Sequence, residues 1–346
     1  MRDREGQTSY AAPRVDWKIS DFDILGRLGA GSTSTVVHAR RRASGMECAL
    51  KVVDKHLVQR NRLLEYVVRE RRVLDRMDDQ GVARLLFTFQ DAAHLYFGLE
   101  LCPQGDLFDQ VQARGTLDLE AARAYAAEVV LILEYLRGAG VIHRDVKPEN
   151  LLLTDAGHVK LIDFGCVKDL RDGGEGEPAA GGGRSPNRLQ REKRRVSFVG
   201  TADYLAPEVL ENTRVSFATD LWCLGCTVYQ MLAGRPPFRA GSEYLTYQNI
   251  TNRALTYPEG FPEVARDLVE GLLAADQGAR LGADDIAEVK AHPFFEGIQW
   301  CSLREAKAPE YRPRPRADPE EEGLDWDLKS MVEAVPVTYE YVPSVQ

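Results

Sequence analysis

The sequence predicts an α+β protein of two unequal lobes: a small antiparallel β lobe carrying one helix, and a larger, mainly α lobe. Three observations point to this. Short strand-type runs crowd residues 22–100, long helical periodicities replace them after Gln104-Gly105, and 346 residues with 44% hydrophobic content suffice for two packed units.

Taken in order, residues 1–16 are polar and are expected to form a disordered N-terminal segment without the apolar stretch of a signal peptide. No segment is apolar for long enough to span a bilayer, so a cytoplasmic protein is expected. The small lobe, 17–101, carries strand patterns at Phe22–Leu28, Thr35–Arg40, Cys48–Val53, Arg84–Gln90 and Leu95–Glu100. One helix interrupts them, with Leu63, Val67, Leu74 and Met77 at helical spacing and Glu70 on the same inward stripe. A carboxylate on an apolar face requires a partner.

The large lobe, 102–296, opens with helical runs at Leu107–Ala113 and Leu119–Arg137. Within it, 169–195 turns to Gly, Pro, Ala and Arg and is expected to be a flexible insert. Residues 297–346, with Pro313, Pro315 and Pro319 among acidic residues, are expected to run as an extended tail over the surface. The six cysteines are scattered. Cys223 and Cys226 lie in a run that is apolar on nearly every face and read as core, since no second Cys/His pair accompanies them. Cys166 reads as a small hydrophobe close to the chemistry described next. A net charge of −9 argues against nucleic acid or an anionic membrane as a partner held by bulk charge.

The chemistry concentrates in His143-Arg-Asp-Val-Lys-Pro-Glu-Asn150, followed by Asp163-Phe164-Gly165. Together these supply what moving a phosphoryl group from ATP to a hydroxyl requires. Asp145 is placed to orient the attacking hydroxyl and accept its proton, and Lys147 to face the transferring phosphate. Asn150 and Asp163 offer the hard oxygen ligands that Mg²⁺ prefers.

Leu28-Gly-Ala-Gly-Ser-Thr-Ser-Thr-Val36 reads as a strand, tight turn and strand whose amides can approach phosphate. This segment, Ala49-Leu50-Lys51, Glu70, the two motifs above and Ala206-Pro207-Glu208 resemble the protein-kinase signature set in order, from about Phe22 to Trp300. The resemblance implies a bilobal kinase fold with ATP and Mg²⁺ as cofactors. It implies that Lys51 pairs with Glu70 and holds the α and β phosphates. It further implies that Leu28, Gly29, Ala30, Gly31, Ser32, Val36, Ala49, Glu149 and Leu152 belong to the ATP site. Glu100 to Cys102 would form the hinge to adenine, with Leu99 guarding the pocket and Asp106 reaching the ribose. The third loop glycine is replaced by Ser34, and the loop tip carries Thr33, so the lid is expected to seat less firmly. Lys147, two residues after Asp145, follows the serine/threonine pattern. Glu208 would pair with Arg280, and Asp220 would hold the catalytic-loop backbone, both as fold supports.

His292-Pro-Phe-Phe295 followed by Trp300 is similar to the tail start of AGC-group kinases. Ser197-Phe-Val-Gly-Thr-Ala-Asp-Tyr, Phe87-Thr-Phe-Gln-Asp, Leu95-Tyr-Phe-Gly-Leu, Pro237-Phe-Arg-Ala-Gly-Ser-Glu-Tyr-Leu and Ala265-Arg-Asp-Leu-Val-Glu resemble the phosphoinositide-dependent branch of that group. That branch phosphorylates the activation loops of other AGC kinases. By this resemblance Ser197 is the activating phosphosite, flanked by Arg69, Arg144 and Lys168. It also implies a small-lobe groove of Lys55, Leu57, Val58, Val67, Gln90 and Leu95, with Arg71 and Thr88 at a phosphate subsite and Lys18 standing in for a further cation. The expected partners are substrate AGC kinases, docked through their hydrophobic motif. The tail ends without such a motif of its own, and the residues after Trp300 are too few for a lipid-binding pleckstrin-homology domain. The rival expectations are another AGC kinase with different substrates and, from a different class, a pseudokinase scaffold.

Overall fold

The computed structural model describes residues 10–171 and 201–312. Five strands, β1 (Phe22–Ala30), β2 (Ser34–Arg41), β3 (Glu47–Asp54), β4 (Leu85–Gln90) and β5 (His94–Leu99), form one antiparallel sheet in the order β1-β2-β3-β5-β4. Alternation along the strands separates two faces. One face buries Phe22, Val37, Leu50, Phe87, Phe89 and Tyr96, with the Phe89 and Tyr96 rings stacked at 4.3 Å. Gly98 is demanded by that packing, because a Cβ there would enter the Phe87 ring. The opposite face, with Val53 and Phe97, belongs to the main core.

Two helices, not one, follow β3. Asp54 caps α1 (Lys55–Arg60) by accepting from the Leu57 amide at 2.9 Å, and α2 (Leu64–Leu74) follows after a short break. The break explains why a single helical pattern was expected: Leu63 and Met77 lie just outside α2, yet both are buried with Val67 and Leu74.

Residues 10–16, expected to be disordered, are a second correction. Val15 donates its amide to the Thr88 carbonyl and Thr88 donates to the Pro13 carbonyl, both at 3.0 Å, pairing Arg14 in parallel with Thr88. The polar composition gave no sign of this, because an edge strand is recruited through backbone groups. Ala12 is buried, Trp17 packs 4.8 Å from the Phe87 ring, and the Tyr10 hydroxyl donates to the Leu85 carbonyl.

In the large lobe, Asp106 caps α3 (Leu107–Arg114) and Asp118 caps α4 (Leu119–Gly138). Short strands β6 (Val141–Ile142), β7 (Leu151–Leu153), β8 (Val159–Leu161) and β9 (Lys168–Asp169) pair as β6-β9 and β7-β8, framing the catalytic loop. Beyond lie α5 (Pro207–Leu210), α6 (Ala218–Ala233), α7 (Glu243–Thr251), α8 (Glu263–Leu272) and α9 (Ile286–Lys290). Helix α6 is buried over nearly its whole length, as its all-round apolar sequence requires. Burial raises the Cys223 and Cys226 thiols well above the usual range, in keeping with core residues. Residues 303–312 lie against the large lobe, where the Tyr311 hydroxyl donates to the Asp155 carbonyl at 2.8 Å and the Arg312 amide to Gln110 Oε1 at 2.8 Å. Among the described residues no helix is long and apolar enough to cross a membrane.

Candidate active site

Each site residue is delivered by an element edge or a short turn. Lys51 stands on β3 opposite Val36 of β2, and Glu70 on the inner face of α2. The Lys51 ammonium meets Glu70 Oε1 at 2.5 Å and Asp163 Oδ1 at 3.6 Å. Burial opposes the charge on Lys51, but attraction to Glu70 and Asp163 outweighs it and holds the pKa raised. The buried carboxylate thus has its partner, and α2 is fixed against the sheet.

The catalytic loop is organised around two backbone strains and one buried acid. Arg144 and Asp163 both sit at positive φ, 68° and 59°, a conformation that non-glycine residues hold only when surrounding contacts enforce it. Buried Asp220 supplies that enforcement at Arg144, accepting the His143 amide at 2.8 Å and the Arg144 amide at 2.7 Å. The Phe164 ring sits edge-on to His143, with centroids 4.9 Å apart. Arg144 then donates through Nε to the Cys166 carbonyl at 2.6 Å, tying the loop to the start of the following segment.

Asp145 is nearly buried and held from two sides. Lys147 Nζ reaches its carboxylate oxygens at 3.0 and 2.9 Å, while Asn150 Nδ2 donates to its carbonyl at 2.7 Å and to Oδ2 at 2.9 Å. Burial works against the Lys147 charge, but Asp145 more than compensates, so the ammonium is held protonated. Glu149 has burial as the main cause of its raised pKa and takes Lys147, Asp145 and Asp203 as electrostatic neighbours. Asn150 turns its amide nitrogen to Asp145, which leaves its oxygen as the end with metal-ligand chemistry.

Across the cleft, Leu99 pairs with Ala49 in the sheet register, and Leu152 of β7 bridges to Asp106. Leu28, Val36, Ala49, Leu99 and Leu152 all stay partly or largely exposed, an apolar set without a cover of its own. Gly29, Ala30, Gly31 and Ser32 carry the turn from β1 towards β2, closed by the Gly31 amide on the Ser34 carbonyl at 2.7 Å. At the segment expected to be the hinge, the Glu100 amide donates to the Arg84 carbonyl at 2.9 Å and its carboxylate accepts from Lys160 at 2.8 Å. The Cys102 thiol is pushed up to about 12 by burial. Asp106, expected at the ribose, has one carboxylate oxygen engaged as the cap of α3, where it accepts from the Asp109 amide at 2.8 Å.

The donor set fits Mg²⁺ held mainly by phosphate. Asp163 presents a half-exposed carboxylate 3.6 Å from Lys51, and among the described residues no cluster of three or more His, Cys, Asp or Glu side chains could hold a metal ion.

The remaining expectations divide. Lys55 Nζ reaches Gln90 Oε1 at 2.9 Å, and Gln90 faces Leu95 in the β4–β5 register, while Val58 and Val67 are buried and Leu57 is partly exposed. Arg71 pairs with Asp75 at 2.9 Å. Lys18 is exposed beside the Ile19–Asp21 turn, and the cation placed in register with Thr88 is instead Arg14. Ser197 lies outside the described residues. Arg69 lies 5.6 Å from the Tyr66 ring, and Lys168 pairs with Ile142 across β6 and β9. Sequence reasoning missed Arg14, the Lys160 partner of Glu100, and a buried pair between Arg76 and Asp169, 93 residues apart, for which no local signal exists.

Lys51 and Lys147, the carboxylates of Glu70, Asp145 and Asp163, Asn150 and the loop, set between a β lobe and a helical lobe, define a protein kinase. The protein kinase domain family matches residues 22–295, and the chain belongs to that family. It is 42% identical over 333 residues to 3-phosphoinositide-dependent protein kinase 1 of Arabidopsis thaliana, covering 94% of this chain and 66% of that protein. It is 43% identical over 308 residues to the Homo sapiens protein of the same name (87% and 52%) and 40% identical over 302 residues to serine/threonine-protein kinase PKH1 of Saccharomyces cerevisiae (86% and 38%). The chain therefore spans two thirds or less of these relatives' lengths. Within the family it is an AGC serine/threonine kinase of the 3-phosphoinositide-dependent type.

Proposed function

We propose that this chain transfers the γ-phosphoryl group of ATP to Ser or Thr in the activation loops of other AGC kinases. The observation that carries the reading is the Asp145 carboxylate, held by Lys147 and Asn150 at 2.9 Å on the same oxygen, with the Lys51–Glu70 pair assembled across the cleft. ATP supplies the phosphoryl group and Mg²⁺ screens the phosphate charge. Asn150 and Asp163 would hold the metal, and Lys51 the α and β phosphates. Asp145 orients the acceptor hydroxyl and takes its proton, while Lys147, bonded to both oxygens of that carboxylate, offsets charge on the moving group.

Substrate selection in this reading rests on the small-lobe groove. The Val58 and Val67 floor, flanked by Leu57, Leu95 and the Lys55–Gln90 pair, suits aromatic side chains of a hydrophobic motif. Arg71, Thr88 and Arg14 would meet an accompanying phosphate. Phosphate on Ser197 would draw Arg144, Lys168 and Arg69 together, the last being one residue from Glu70, and so favour the inward position of α2. The test is label transfer from ATP to an activation-loop peptide, with and without a linked hydrophobic motif. Transfer enhanced by linkage and lost in Asp145→Asn is expected. No transfer would mark a scaffold, and transfer indifferent to linkage would remove the groove from the account.

A further inference from the structure

Arg76 follows the last turn of α2 and sends Nη1 to Asp169 Oδ2 on β9 at 2.5 Å. The Asp169 side chain is 1% exposed and that of Arg76 20%. The other Asp169 oxygen accepts the Arg171 amide at 3.0 Å, whereas Arg76 Nε and Nη2 are buried without partners. The guanidinium therefore depends on one carboxylate. A buried ion pair adds little net stability compared with apolar packing, so its retention points to the arrangement it enforces.

That arrangement is specific. The loop after α2 is already fixed to the large lobe, since the Asp78 amide donates to the Tyr135 hydroxyl at 2.8 Å and the Leu161 amide to the Gly81 carbonyl at 2.7 Å. β9 pairs with β6, directly before the catalytic loop. Glu70 lies six residues before Arg76, about 9 Å along a helix axis. Any shift at the Arg76 end thus carries Glu70 with it.

We infer that Arg76 and Asp169 are positioning residues for phosphoryl transfer: their ion pair ties the pivot of α2 to β9 and, acting through Glu70, keeps the Lys51–Glu70 pair assembled. With Asp169 neutral, the buried guanidinium loses its counter-charge and is drawn towards water, pulling the end of α2 away from β9. The inference is independent of the docking groove and of Ser197.

The test compares Asp169→Asn, Arg76→Met and Asp169→Glu with the parent chain. Initial rates are measured against ATP and against peptide, alongside thermal melting and hydrogen exchange of 64–74. The expected result is a fall of about tenfold in kcat/KM for ATP in Asp169→Asn and Arg76→Met, within the range such coupled networks carry. The peptide KM stays unchanged, exchange in α2 quickens, and Asp169→Glu recovers most of the loss. Lower melting with parental ATP kinetics and parental α2 exchange would reduce the pair to a local fold support and overturn the inference.

Discussion

Arg280 lays its fully buried guanidinium against both oxygens of Glu208, Nη1 to Oε1 and Nη2 to Oε2, each at 2.7 Å. Thr219 adds a hydroxyl to Oε1 at 2.8 Å, and Arg280 further binds the Ala218 and Ala274 carbonyls at 2.9 and 2.8 Å. The pair joins α5 to the chain beyond α8. Glu208→Gln leaves the guanidinium without its counter-charge, so stability is expected to fall by about 3 to 5 kcal/mol. Urea unfolding measures this. The KM for ATP of the protein still folded should match the parent, since neither residue faces the cleft; a selective rise in that KM would refute the assignment as a fold support.

The Lys51–Glu70 and Asp145–Lys147 pairs serve different steps, and kinetics should separate them. Lys51→Met removes a phosphate contact and the partner of a buried carboxylate, so weaker nucleotide binding is expected with lower turnover. Asp145→Asn leaves the nucleotide side intact and should lower kcat by roughly 10² to 10⁴ at nearly unchanged ATP affinity. Nucleotide titration with single-turnover rates checks both, and equal loss of ATP affinity in the two variants would contradict the division of roles.

Acid response provides a third prediction, because two touching groups pull in opposite directions. Burial lowers the His143 pKa, so its contribution to stability is complete above its ordinary value of 6.5 and is lost as pH falls below 6.5 towards the lowered folded-state value. Burial also raises Asp220 to about 6, only partly offset by the Arg144 and His143 amides. The Asp220 contribution is therefore present below its ordinary 3.8 and is lost as pH rises through 6. Between pH 7 and 5 the two therefore oppose one another. Asp220→Asn removes one of them, so the variant should lose about 1 to 2 kcal/mol more than the parent over that interval. Denaturation at the two pH values decides, and parallel losses would show that Asp220 does not titrate there.

What was legible in the sequence follows from the range over which each interaction acts. The strands of the sheet differ from expectation by a residue or two at their ends, because period-two burial is local information. The Asp145, Lys147 and Asn150 constellation was equally plain, its members being within six residues of one another. Glu70 announced its need for a partner by lying on an apolar stripe, although only the ordered signature supplied Lys51. The break between α1 and α2 was hidden because Leu63 and Met77 remain in the core beyond the ends of α2. The Arg76–Asp169 pair and the Arg14–Thr88 pairing join residues 93 and 74 positions apart and depend on how finished elements pack, which no window of sequence encodes.

The added strand at the N-terminal side yields the last prediction. Val15 donates the only backbone bond from this segment that reaches the Thr88 carbonyl among the described residues, and Thr88 returns one to Pro13. Proline at position 15 removes that donor and keeps an apolar residue against the small-lobe core that partly buried Val15 packs on. The Thr88 carbonyl then loses a partner beside a buried side chain, at a cost of about 1 to 3 kcal/mol. Ala12 and Arg14 should loosen with it. If the groove reading is right, Val15→Pro therefore weakens binding of a phosphorylated hydrophobic-motif peptide more than binding of its unphosphorylated form, because Arg14 is displaced from Thr88 while the Val58 and Val67 floor stays in place. Peptide titration of the parent and variant checks this. Equal weakening of both peptides would show that the strand supports the fold of the groove and adds nothing to phosphate recognition.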